Sequence, residues 1–402
     1  MNIYNLHTGR VAIIGPGRLG TALAYKFGRD HRRVDLYYHD GAICQEINKT
    51  RYNPIHLTHD LAKKLGGIDS VPQLPEKVGA TNDLEYVIKN NDFIILALTV
   101  GRLSEFLTFC REIIREREGG ICLISPLKGM IASSDGKRLL TPSMIVRETL
   151  KGLEDKYRLL CVGGPFFDTD IALGNPVCIT VAGEKKLAFF VKENLINFNR
   201  REFSTYYNYD VMGVEICGAL KNTVANLKGV SDSLNLGNSL PGTLFTRAGV
   251  EMRSISKLMG GGFQAFLSQS GVGDMFVTVS SEASKNYRYG KHFFELFDGD
   301  HQNTHQRVTK MIDGTPEGPS TIRNIRSFLR EHNIYSPLFN CAYDVFNTSA
   351  SKEETRELIV QACQLDRRNR EYVGPVSRAL YAIAPRHWYR RDRGWLSSWG
   401  TI

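Results

Sequence analysis

Three polar segments stand out from otherwise apolar surroundings in this chain. Ser125-Pro126-Leu127-Lys128-Gly129 places a lysine just after an apolar, strand-like run. Cys217-Gly218-Ala219-Leu220-Lys221-Asn222-Thr223 puts Lys221 and Asn222 inside an apolar helical pattern. Gly271-Val272-Gly273-Asp274-Met275-Phe276-Val277-Thr278 carries an acid and a hydroxyl one helical turn apart. Reduction of a ketone by hydride transfer leaves negative charge on the carbonyl oxygen, which must then gain a proton. A partly desolvated lysine meets both needs, because burial and a neighbouring cation bring its pKa toward the working range. Two lysines balanced by Asp274 would form such a site, although each lysine taken alone reads more readily as a solvated or salt-bridged side chain.

A fourth segment suits a phosphate. Gly15-Pro16-Gly17-Arg18-Leu19-Gly20 follows the apolar run Val11-Ala12-Ile13-Ile14 and opens a helix near Leu19. Gly15 permits the tight turn, Gly17 lets the backbone approach a pyrophosphate, and Gly20 allows the helix to lie close on the strand. The N–H groups and positive dipole end of that helix favour a diphosphate. Asp40 has the spacing of an acid that holds an adenosine ribose, while Arg32 and Arg33 precede the second apolar run. NAD and NADP both remain open at this point.

Those residues need a scaffold. Val11–Ile14, Val34–Tyr38, Phe93–Leu98, Ile121–Ile124, Leu159–Val162 and Val177–Val181 are short apolar runs separated by helix-length stretches. They predict a doubly wound, Rossmann-type α/β domain whose parallel sheet is covered on both faces. From Val211 onward the spacing becomes helical, at Glu215–Ser233, Gly242–Met259, Thr321–Glu331 and Pro337–Val345. The expected division is 1–209 for dinucleotide binding, 210–385 for a mainly α-helical substrate and catalytic domain, and 386–402 for a tail. The cleft between the first two is the expected site.

The 402 residues, 42% hydrophobic and 23% charged, suffice for two buried cores and exclude disorder or a disulfide-stapled scaffold. Eight cysteines lack any C-x-x-C pair and fall mostly in apolar runs, which predicts reduced thiols in a cytoplasmic chain. No segment has the apolar length of a signal peptide or membrane span. No metal is expected, since no H-E-x-x-H pattern occurs and no cysteine stands at ligand spacing to the histidines, and no G-x-S-x-G elbow is present. The net charge of +9 is dispersed, which argues against nucleic acid. Its main concentration is the tail, where Arg386, Arg390, Arg391 and Arg393 accompany Trp388, Trp395 and Trp399. Packing of these aromatics on the helical domain is the favoured reading, with contact to a membrane surface or a partner as the alternative.

The run Val214–Ala225 resembles the signature of NAD(P)-dependent glycerol-3-phosphate dehydrogenases, as do Gly271–Thr278, Gly15–Gly20 and Leu127-Lys128-Gly129. Gly164-Pro165-Phe166-Phe167, Gly174-Asn175-Pro176, Thr246-Arg247 and Glu317-Gly318 are weaker matches in the same order. The resemblance implies an NAD- or NADP-dependent homodimer that interconverts dihydroxyacetone phosphate and sn-glycerol 3-phosphate. It implies Lys221 as proton donor, Lys128 on the same substrate, and Asp274 and Thr278 completing the catalytic network. Asn222, Lys285 and Asn286 would hold the small phosphorylated substrate. Gly15, Pro16, Gly17, Arg18, Leu19, Gly20, Asp40 and Glu317 would hold the cofactor.

Departures concentrate near the expected ligands. Lys285-Asn286 stands where the family has Arg-Asn on the substrate phosphate, and a lysine lacks the two-pronged grip of arginine. Arg288 is near enough in sequence to share that role. Thr99-Val100-Gly101 replaces a proline-containing turn, Leu240-Pro241-Gly242 replaces a more polar loop, and Phe166 and Asp168 replace smaller residues. Extra segments occur near 53–70 and 298–308. These changes leave room for the same chemistry on a different phosphorylated or phosphonate ketone. A nucleotide-binding scaffold without catalysis is a further alternative, disfavoured because the whole set of Lys128, Lys221, Asn222, Asp274 and Thr278 is kept.

Overall fold

The computed structural model describes residues 10–196, 202–312, 316–348 and 351–364. The Trp/Arg tail lies outside the described residues. The first half runs β1 (Val11–Ile14), α1 (Arg18–Arg29), β2 (Val34–Tyr37), α2 (Gly41–Thr50), α3 (Thr58–Leu65), β3 (Val78–Thr81), α4 (Leu84–Asn90), β4 (Phe93–Leu96), α5 (Val100–Glu116) and β5 (Ile121–Ser125). A small hairpin follows, β6 (Ile131–Ala132) with β7 (Leu139–Leu140), then α6 (Pro142–Thr149), β8 (Tyr157–Gly163), α7 (Asp168–Leu173), β9 (Val177–Gly183), α8 (Lys185–Val191) and β10 (Phe203–Asn208).

Eight of these strands form one sheet in the order β10-β9-β8-β5-β4-β1-β2-β3. Every residue of β1, β4 and β5 is buried, because helices cover both faces of the central strands and leave no side for polar groups. Alternate residues feed separate cores. Val11 and Ile13 join Leu23, Phe27 and Val34 on one face, while Ala12 and Ile14 join Val87, Leu103 and Leu107 on the other.

The expected parallel sheet holds except at one junction, where β9 runs antiparallel to β8. The connection contains only the six-residue α7, which rises about 9 Å, whereas a seven-residue strand spans about 23 Å. The chain therefore turns back from the same edge and does not cross the sheet. β10 then pairs parallel to β9.

The second half consists of α9 (Val211–Ser233), α10 (Leu240–Leu258), α11 (Asp274–Ser280), α12 (Lys285–Leu296), α13 (His301–Met311), α14 (Gly318–Glu331), α15 (Pro337–Asn347) and α16 (Lys352–Gln364). Its axis is α9, buried along nearly its whole length. Gly229 and Gly290 let α9 and α12 approach closely: a Cβ at Gly290 would stand 1.9 Å from the Asn226 carbonyl oxygen. Glu215 on α9 ties the helices to the sheet half, accepting hydrogen bonds from the Ser143 amide (2.8 Å) and hydroxyl (2.6 Å). No helix among the described residues is long and apolar enough to cross a membrane. All eight cysteines are unpaired, and all but Cys178 are buried.

Another buried acid organises the helical core. Glu251 accepts hydrogen bonds from the Ser336 hydroxyl at 2.5 Å, the Leu338 amide at 2.9 Å and the Phe339 amide at 3.2 Å, capping α15. Burial nevertheless pushes its carboxyl up from 4.5 to about 7. The folded chain thus holds this proton more tightly than the unfolded one. Its contribution is complete below pH 4.5 and is lost as pH rises through about 7. Thermal unfolding across that window should show a decline worth about 3 kcal/mol, and Glu251→Gln should flatten it. An unchanged slope in the variant would locate the titration elsewhere.

Candidate active site

β1 ends at Ile14, and the chain turns through Gly15, whose φ of +100° lies in the region that favours glycine. A Cβ at Gly15 would meet the Ala97 carbonyl oxygen at 2.6 Å, and one at Gly20 would meet the Gly15 carbonyl oxygen at 1.9 Å. Gly17 differs, because a Cβ there would meet nothing within 4 Å. The loop is thus closed against β4 and α1 on its inner side and open above Gly17. No acid occupies the first turn of α1. A diphosphate fits this cradle sterically and electrostatically.

Residues near 53–70 support the cradle. The buried Asn53 amide donates to the Pro16 carbonyl at 2.7 Å and to the Thr21 hydroxyl at 2.8 Å. Arg18 is gripped by two acids that the motif alone did not reveal. It donates from Nε to Asp168 at 2.6 Å and from Nη2 to the second Asp168 oxygen at 2.9 Å, and it also pairs with Asp60 of α3. Asp40 caps α2 from an exposed position, accepting from the Ala42 amide at 2.9 Å and the Ile43 amide at 3.2 Å.

Lys128 lies in the loop at the carboxyl end of β5, just before Gly129 with its φ of +145°. Its stem crosses α9 at Gly218, where a Cβ would touch Lys128 Cγ at 3.4 Å. Lys221 is on the same helix one turn further on. The two ammonium groups share one buried carboxylate, with Lys221 Nζ donating to Asp274 Oδ1 at 2.5 Å and Lys128 Nζ 2.9 Å from Oδ2. The second contact is ionic and not aligned as a hydrogen bond. Lys221 also donates to the Thr278 hydroxyl at 2.8 Å, and that hydroxyl donates to the Asp274 carbonyl at 2.6 Å, one turn back along α11.

Burial pushes the Lys221 ammonium down to about 8; Asp274 opposes the shift, and the Lys128 charge adds to it. Glu317 stands at the start of α14 and accepts from the Asn222 amide at 2.9 Å. Burial raises its carboxyl pKa, against the pull of Lys221 and Lys128. Asn286 accepts from the Gly318 amide at 3.0 Å, and its own carbonyl accepts from Asn226 at 3.0 Å. α12 thereby docks on the start of α14, with Lys285 at its first position.

A cleft of about 260 Å³ joins the two ends of the site, lined by Leu19 beside the cradle, Leu98, Lys128, Phe166, Asp168 and Glu317 among others. Thus Lys128, Lys221, Asn222, Asp274, Thr278 and Glu317 form one connected cluster. Asn286 joins it through Gly318, Lys285 sits alongside, and Asp40 stands at α2. The sequence motifs did not disclose Asn53, Asp60, the partners of Asp168, or the ring of Phe166 lying 4.2 Å from Lys128 Nζ. Asp168 was visible only as a departure in size, and Phe166 as such a departure within a weakly matching segment.

A glycine cradle at the carboxyl edge of a mostly parallel sheet, sharing a cleft with Lys128 of the sheet half, whose partner Asp274 also holds the buried Lys221 of the helical layer, defines a dinucleotide-dependent dehydrogenase. The N-terminal profile of the NAD-dependent glycerol-3-phosphate dehydrogenases matches residues 10–188, and the C-terminal profile of the same family matches residues 210–357. The chain belongs to this family. It is 28% identical over 351 residues to a glycerol-3-phosphate dehydrogenase (NAD(P)+) of Halorhodospira halophila, covering 87% of this chain and 96% of that one. An Acinetobacter baylyi relative of the same name is 29% identical, covering 84% and 85%. In fold, it resembles a glycerol-3-phosphate dehydrogenase of Coxiella burnetii (TM-score 0.73, 22% identity, 87% and 98% covered). The Plasmodium falciparum enzyme is similar (TM-score 0.72, 19% identity, 87% and 94% covered).

Proposed function

We propose that the protein interconverts dihydroxyacetone phosphate and sn-glycerol 3-phosphate, with NAD or NADP as cofactor. The observation that carries this reading is the cleft itself: one space reaches from the glycine cradle to a lysine whose partner carboxylate also holds Lys221. When bound, the reduced nicotinamide supplies a hydride that becomes the hydrogen on C2 of the product. Residues 10–209 would hold the cofactor, through the backbone of Gly15–Gly20, with Asp40 at the adenosine end. Residues from 210 onward would hold the substrate.

Lys221 donates its proton to the developing alkoxide, and Lys128 stabilises the same charge from the sheet side. Asp274 favours the charged form of the buried Lys221 and pairs with both ammonium groups, and Thr278 fixes the direction of the Lys221 ammonium. Asn222 and Glu317 orient substrate and cofactor at the centre of the cleft. Lys285 and Asn286 receive the phosphate. In the oxidative direction, neutral Lys221 takes the hydroxyl proton as the hydride leaves C2. The same reading includes a cytoplasmic homodimer, supported for the compartment by the unpaired, mostly buried thiols. It leaves the tail as the segment for any surface or partner contact.

Assay of NADH and NADPH oxidation with dihydroxyacetone phosphate tests the assignment, with sn-glycerol 3-phosphate as the expected product. Turnover of neither cofactor, by the unaltered chain or by Lys285→Arg, would refute it. Arg18 allows a separate check on the cradle. Arg18→Met should weaken dinucleotide affinity about tenfold, measured by quenching of NADH fluorescence, in keeping with loss of one charge-assisted contact. Unaltered affinity would confine Arg18 to its tie between Asp60 and Asp168.

A further inference from the structure

We propose that Phe166 determines which carbon chain lengths the cleft accepts, by walling its Lys128 end off from an apolar cavity. This inference rests on the dehydrogenase reading and deepens it. Phe166 lines two spaces at once. On one side is the cleft with Lys128, Asp168 and Glu317. On the other is a cavity lined only by apolar side chains, among them Leu23, Phe27, Ile95, Val162 and Ile171. Leu19 and Pro126 also border both spaces, but they belong to the cradle and to the turn that carries Lys128. Phe166 is the removable part of the partition.

The wall is held in place from several directions. The face of the Phe166 ring meets the Lys128 ammonium, with 4.2 Å from Nζ to the ring centroid, an attractive cation–π arrangement. Lys128 Nζ also donates to the Gly164 carbonyl at 3.1 Å, so the lysine clasps the loop that bears the ring. Gly164 has a φ of +135° and lies against β9, where a Cβ would stand 2.9 Å from the Cys178 carbonyl oxygen. Two residues after Phe166, Asp168 is locked in the two-pronged contact with Arg18. The loop is therefore anchored on both sides of the ring, and the ring has little freedom to yield to a longer substrate.

A ketone of three carbons carrying a phosphate fits in front of this wall. An unbranched homologue would have to drive extra methylenes into the ring. Truncation of Phe166 joins the cleft to a space whose lining suits alkyl groups and offers no polar partner. The chemical class admitted should be phosphorylated 2-ketones extended by one to three methylenes at the end remote from the phosphate.

The test compares kcat/KM for dihydroxyacetone phosphate with that for a series of such homologues, in the unaltered protein and in Phe166→Leu, Phe166→Val and Phe166→Ala. The unaltered protein should disfavour the homologues by at least about tenfold, the range one methylene commands in an apolar pocket. The ratio should stay near this value in Phe166→Leu and move toward the homologues by about tenfold or more in Phe166→Ala. Phe166→Val should fall between them. If the alanine variant does not fold, as judged by thermal unfolding, the leucine-to-valine step still decides. Equal losses on all substrates, with an unmoved ratio, would overturn the proposal and leave Phe166 as a prop for Lys128. Absence of turnover of dihydroxyacetone phosphate by the unaltered protein would refute the dehydrogenase reading and the inference with it; turnover with an unmoved ratio would refute only the role of Phe166.

Discussion

Lys221→Met should lower kcat for ketone reduction by about 10³-fold while leaving dinucleotide affinity nearly unchanged, in the range expected for loss of a positioned general acid. The asymmetry follows from location, since Lys221 lies on α9 among Asp274 and Thr278 and the cradle is built from β1 and α1. The pH dependence gives a second handle. Burial brings the ammonium down to about 8, so reduction needs the protonated lysine and should decline as pH rises through about 8. Oxidation needs the neutral amine and should increase through the same range. Loss of cofactor affinity equal to the loss of turnover would make Lys221 a structural residue.

Asp274→Asn should be nearly as damaging, with a different signature. Asp274 is 1% exposed and neutralises two lysines together. Its removal leaves two ammonium groups facing one another in a buried site, which should cost about 3 kcal/mol of stability and about 10²-fold in kcat. Because Asp274 is what holds the Lys221 pKa up, the decline in reduction should move to lower pH in the variant. A pH profile still centred near 8 would show that another group governs the Lys221 proton. Lys128→Met gives the opposite displacement, since the Lys128 charge pushes the Lys221 pKa down.

The fold was legible where burial imposes a pattern. β1, β4 and β5 are buried on both faces and read as unbroken apolar runs, and α9 and α10 show plain helical spacing. β3 and β10 escaped notice because they are the sheet's edges: Val78-Gly79-Ala80-Thr81 and Phe203-Ser204-Thr205-Tyr206 alternate buried and exposed residues and carry little continuous apolar signal. The reversal at β9 could not be read from its composition, since the direction depends on how far α7 carries the chain. In the site, residue types and order marked Lys128, Lys221, Asp274 and Thr278 as candidates. The shared carboxylate between the lysines, the grip of Asp60 and Asp168 on Arg18, and the stacking of Phe166 on Lys128 join residues 38 to 150 positions apart. Such pairings arise only when distant segments of the folded chain meet, and the Lys128–Asp274 contact only when the sheet and helical halves do.

Transfer of a labelled hydride addresses the central claim most directly. The protein is supplied with dihydroxyacetone phosphate and, in turn, with NADH or NADPH deuterated on either face of nicotinamide C4, and the product is weighed by mass spectrometry. With at least one cofactor and one labelled face, sn-glycerol 3-phosphate should form carrying a single deuterium at C2, in step with the cofactor oxidised. Unlabelled product from both faces, or no product with either cofactor, would contradict the account.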